Sequence, residues 1–97
     1  MSTSQIRQLG IVDEESEPAS LIAAAAGGNV RAFEQLYTRF APCIYGRCLR
    51  LTSQREAAED CTQESFVAAW RALGRFEYRS RFSTWLQRIA IHTVRAT

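Results

Sequence analysis

The sequence predicts an all-α fold, a compact bundle of about four helices. Apolar residues recur at three- and four-residue spacing along most of the chain, no segment alternates with a period of two, and glycine, proline or capping residues punctuate the repeats. A chain of 97 residues, 46% hydrophobic and 23% charged, has room for one core, which excludes a two-domain enzyme.

Residues 1–19 contain few large apolar side chains, an acidic cluster (Asp13, Glu14, Glu15, Glu17) and Pro18, the composition of a flexible acidic tail. The helical domain is expected over residues 20–97. Its first helix is short, centred on the good helix formers Leu21 to Ala26; Gly27 and Gly28 stop it and Asn29 caps the next. In the second helix Phe33, Leu36, Tyr37, Phe40, Ile44, Cys48 and Leu51 form one inward stripe. Pro42 lies inside that stripe, so a kink, or a break and restart, is expected near Ala41.

Ser53-Gln54-Arg55-Glu56 has the form of a capping box and starts the third helix. That helix runs to about Leu73, where Gly74 ends it, with Ala58, Cys61, Ser65, Phe66, Ala69 and Leu73 inside. An arginine-rich connection over residues 75–81 leads to a fourth helix, whose inner side carries Phe82, Leu86, Ile89, Ala90 and Thr93.

Charge is sorted along the chain. The net +2 conceals −3 over residues 1–20, +3 over 21–52, −3 over 53–64 and +5 over 71–97, and every basic side chain is arginine. No stretch approaches the ~20 apolar residues of a membrane span, and the first ten residues lack the apolar block of a secretory signal, so a cytoplasmic location is expected. Cys43, Cys48 and Cys61 form no CxxC pair and read as small core residues. His92, the one histidine, has no ligand-spaced neighbours, so neither a metal nor a cofactor is expected. The chain also lacks a glycine-rich phosphate cradle, a nucleophile with its base and an acid pair, which argues against an enzyme.

Two surfaces depart from ordinary solvated faces. At ~100° per residue, Glu56, Asp60, Gln63, Glu64, Val67 and Arg71 share the outward stripe of the third helix. In the fourth helix Arg81, Arg88, His92 and Arg95 fall within a narrow arc that Trp85 borders, and Arg75, Phe76, Tyr78, Arg79 and Ser80 lead into it. Interleaved guanidinium and aromatic groups suit single-stranded nucleic acid, because arginines hold phosphates while flat rings accept unstacked bases at about 1–3 kcal/mol each. The competing reading makes Phe76, Phe82 and Trp85 core and the arginines solubilising.

The run Ala57-Ala58-Glu59-Asp60-Cys61-Thr62-Gln63-Glu64-Ser65-Phe66 with Ala69-Trp70-Arg71-Ala72-Leu73 resembles region two of the extracytoplasmic-function (ECF) sigma factors of the sigma-70 family. So do Phe82-Ser83-Thr84-Trp85-Leu86-Gln87-Arg88-Ile89-Ala90 and the upstream Gly28 to Tyr37 segment. The resemblance implies a transcription-initiation domain that docks on the β′ clamp helices of core RNA polymerase. It also implies recognition and melting of the promoter minus-ten element by capture of flipped non-template bases. It assigns polymerase docking to the D-x-x-Q-E pattern, here Asp60, Gln63 and Glu64. DNA contact would fall to Phe76, Tyr78, Arg79, Ser80, Arg81, Trp85, Arg88, His92 and Arg95, with His92 where many members carry asparagine. An anti-sigma factor is an expected further partner, and the family's C-terminal helix-turn-helix domain is absent from this chain. The rival to this reading is a helical interaction module that sequesters a regulator without binding DNA.

Overall fold

The computed structural model describes residues 17–96. They form α1 (Ala19–Ala26), α2 (Val30–Thr52), α3 (Arg55–Ala72), a 3₁₀ turn (Leu73–Arg75) and α4 (Phe82–Ala96). No strand occurs among the described residues. The expected acidic tail lies, for residues 1–16, outside the described residues; Glu17 and Pro18 are half-buried.

Local signals set the first two helices. Gly27 closes α1, Gly28 takes a left-handed φ of 103°, and Asn29 caps α2 by accepting from the Ala32 amide at 3.0 Å. The 23-residue α2 then forms the spine of the bundle, packing against α1, α3 and α4. Its inner stripe is buried at Leu36, Phe40, Ile44 and Cys48, whereas Tyr37 and Leu51, also expected inside, are 40% and 46% exposed.

The break and restart near Ala41 does not occur, and no kink is shown there: one helix crosses Pro42. Pro42 and Thr38, the residue whose carbonyl loses its usual donor, are both exposed, so water can take the freed acceptor. Phe40 and Ile44, on either side of Pro42, are both buried in the core.

The capping box is a second correction. Ser53 adopts a left-handed φ of 61° and ends α2, its amide donating to the Leu49 carbonyl at 2.8 Å, so it has no extended backbone with which to cap α3. Gln54 occupies the N-cap position instead, without a side-chain hydrogen bond. The third helix ends at Ala72, and its last inward residue, Leu73, is buried within the 3₁₀ turn.

Inside, α2 and α3 meet at Cys48 and Cys61, whose sulfurs lie 2.8 Å apart with the Cys48 thiol donating. Cys43 differs from the core role expected of all three thiols: it is exposed. The Cys48 thiol is pushed up from 9.0 to about 12, chiefly by burial, with the Cys61 hydrogen bond and charge adding and Thr62 opposing. The native chain therefore holds this proton more tightly than the unfolded one. The resulting stability is present in full below pH 9.0 and is lost as pH climbs toward about 12. Urea unfolding across that range should show stability falling by up to about 1.4 kcal/mol per pH unit more steeply for the parent than for Cys48→Ala. Equal slopes would rule out the burial effect.

Candidate functional site

The loop over residues 76–81 and the start of α4 are built on an aromatic cluster. Phe82 is fully buried, meeting Phe40 edge-on at 5.3 Å and Trp85 at 5.7 Å between ring centroids. Phe76 lies 4.9 Å from Trp85 and 5.9 Å from Phe82, and Tyr78 lies 4.5 Å from Phe76. The cluster thus grades outward: Phe82 is sealed, Phe76 and Trp85 are half-buried, and Tyr78 is 57% exposed. Tyr78 also adopts a left-handed φ of 61°, a conformation costly for a bulky residue and concentrated at functional loops.

Against this cluster opens a cleft of about 190 Å³, lined by Phe76, Arg79, Ser80, Trp85 and Arg88 together with Arg75 and Glu77. Five of the nine residues expected to contact DNA therefore converge on one cleft. Two half-buried rings form an apolar wall and three guanidinium groups surround it, an arrangement that could accept an unstacked base beside a phosphate. Tyr78, Arg81, His92 and Arg95 do not line it. His92 and Arg95 instead continue the exposed basic stripe of α4 beyond Arg88. Glu77, which sequence reasoning did not single out, pairs with Arg79 at 3.1 Å on the surface, so one cleft arginine already has an anionic neighbour.

Asp60, Gln63 and Glu64 are all exposed on α3. Gln63 borders an apolar groove of about 440 Å³ between α2 and α3, whose other walls include Phe33, Tyr37, Phe66, Val67 and Trp70. Val67 is 50% and Trp70 36% exposed. Sequence reasoning did not find this groove. The one signal was Val67, an apolar residue on an otherwise polar outward stripe. An acidic, amide-bearing strip beside an apolar groove can accept hydrogen bonds from cationic groups while burying an apolar side chain from the same partner.

Comparison with known proteins decides the family. The Sigma-70 region 2 family model matches residues 36–96. The chain belongs to the Sigma-70 region 2 family. Among curated relatives it is 37% identical over 81 residues to RNA polymerase sigma-H factor of Pseudomonas aeruginosa, covering 84% of this chain and 42% of that protein. To ECF RNA polymerase sigma factor SigM of Mycobacterium tuberculosis it is 38% identical over 79 residues, covering 80% of this chain and 40% of that one. The chain thus spans about two-fifths of the length of these relatives. In three dimensions this sigma region 2 resembles an engineered region 2 of sigmaE solved by NMR in complex with GTAAAA. The TM-score is 0.74 at 32% identity, covering 79% of this chain and 80% of that one. The matches mark it as a region 2 domain of ECF type. No described helix is long and apolar enough to cross a membrane, and no group of described residues could hold a metal ion.

Proposed function

We propose that this sigma region 2 binds core RNA polymerase through α3 and captures the non-template strand of a minus-ten element through the 76–81 loop and α4. The observation that carries the DNA half is the cleft where Phe76, Trp85, Arg79 and Arg88 converge, a pocket that fits a flipped base with its phosphates on guanidinium groups. Arg81, His92, Arg95 and Tyr78, outside the cleft, extend the track along which the strand would run. The likeness to a region 2 solved with GTAAAA supports the same reading. Melting needs no nucleotide hydrolysis, because each base held on the protein offsets an unstacking cost of a few kcal/mol.

For polymerase, Asp60, Gln63 and Glu64 present charge-assisted acceptors to a basic helical surface such as the β′ clamp helices, and the apolar groove beside Gln63 enlarges the contact. An anti-sigma factor that covers either surface would silence the domain, which would act in the cytoplasm with polymerase. Fluorescence anisotropy across a salt series tests the DNA half. A labelled GTAAAA single strand should bind more tightly than its duplex and weaken as salt rises, with a log–log slope of about −0.7 per phosphate contacted. Salt-independent or absent binding to both forms would favour a module that only sequesters a regulator.

A further inference from the structure

The Glu17 carboxylate reaches across the bundle to the first turn of α4, accepting from the Phe82 amide at 2.5 Å and the Ser83 amide at 2.8 Å. The first turn of α4 contains no acidic residue of its own, so this remote carboxylate supplies the anion that a helix N-terminus favours. Its position is itself fixed, because Glu17 lies just before α1, with only the N-cap residue Pro18 between: its carbonyl accepts from the Ala19 amide at 2.8 Å, and the Pro18 carbonyl accepts from the Ile22 amide at 3.0 Å. On the other side of the contact, Phe82 is the sealed ring on which Phe76 and Trp85 rest, and those two rings form the wall of the DNA cleft.

We propose that Glu17 is a positioning residue for promoter-strand capture: by holding the Phe82 and Ser83 amides it fixes the start of α4, and with it the aromatic wall and the 76–81 loop. This rests on the strand-capture reading above. The hold on α4 and the direct repulsion of DNA phosphate by the same carboxylate make opposite predictions. A carboxylate near a DNA-binding cleft repels phosphate, so removing it should strengthen binding if electrostatics alone mattered. If Glu17 positions the loop, removing it should weaken binding in spite of the lost negative charge.

The test compares Glu17→Ala, Glu17→Gln and a control, Asn29→Ala, in the 97-residue chain. Asn29→Ala removes the side-chain cap of α2, away from the cleft, and so reports what general destabilisation does to binding. The probes are fluorescein-labelled GTAAAA single strand and, in parallel, amide hydrogen exchange read by NMR. Glu17→Ala should lower affinity for the strand by about tenfold and speed exchange at Phe82, Ser83 and residues 76–81 by a similar factor. Glu17→Gln, which keeps an acceptor oxygen without the charge, should fall between it and the parent. Asn29→Ala should lower the melting temperature while leaving strand affinity and loop exchange at parental values. Tighter or unchanged strand binding by Glu17→Ala, or a loss no larger than that of Asn29→Ala, overturns the proposal. If the parent itself fails to bind the strand, the DNA reading falls and the exchange data decide Glu17 alone. Faster exchange confined to residues 76–83 then upholds its hold on the loop, and parental exchange overturns it.

Discussion

Arg88→Glu is expected to weaken binding of a minus-ten single strand by about tenfold to a hundredfold, the largest effect of any single exposed substitution in the domain. Arg88 combines a place in the cleft wall with a place on the basic stripe of α4. A guanidinium that meets a phosphate contributes about 1.5–3 kcal/mol, and reversing its sign adds repulsion to that loss. The salt dependence should flatten too, by at least the ~0.7 of slope that one single-strand phosphate contact represents. Trp85→Ala should also lose affinity, by a different route: about 1–3 kcal/mol of stacking, with little change in salt slope. Trp85 also packs on Phe76 and Phe82, so circular dichroism must first show that its variant folds. Anisotropy titrations that give parental affinities for both folded variants would remove the cleft from the DNA interface.

Asp60→Ala combined with Gln63→Ala should lower affinity for core polymerase by about tenfold to a hundredfold, the loss of one or two hydrogen bonds to charged partners. Both side chains are exposed on α3, so the double variant should unfold like the parent and its loss can be assigned to the interface. Binding of the GTAAAA strand should stay at the parental value, because these residues line none of the cleft between Phe76, Trp85 and Arg88. Surface-immobilised core polymerase provides the measurement. Parental affinity in the double variant would place docking on some other face.

What the sequence disclosed about this architecture divides by the range of the physics involved. Asn29 as a cap, the glycines after α1 and the inward residues of α3 and α4 were legible because each depends on neighbours within a turn or two of helix. Pro42 and Ser53 misled for the opposite reason. A proline's penalty depends on whether the carbonyl it strands can reach water, and a serine's capping power depends on a backbone conformation that the preceding helix imposed. Tyr37 and Leu51 show the same limit: periodicity fixes a stripe, and the breadth of the covering neighbours decides how much of it is sealed. In the candidate site, the basic and aromatic residues were visible as types at helical spacing. Their division into cleft and stripe was not, since it follows from how the 76–81 loop folds back on Phe82.

The contact between Glu17 and the start of α4 joins residues 65 and 66 positions apart, which bears on the order in which the domain matures during synthesis. A ribosome exposes Glu17 long before its two amide partners exist. The acidic group must wait until the start of α4 has emerged, and closing so long a loop is slow relative to forming the local helices. The helices nearest the N-terminus can associate early, while the cleft above Phe82 takes its final shape among the last events. A nascent chain would therefore complete the cleft above Phe82 only after the start of α4 has left the ribosome.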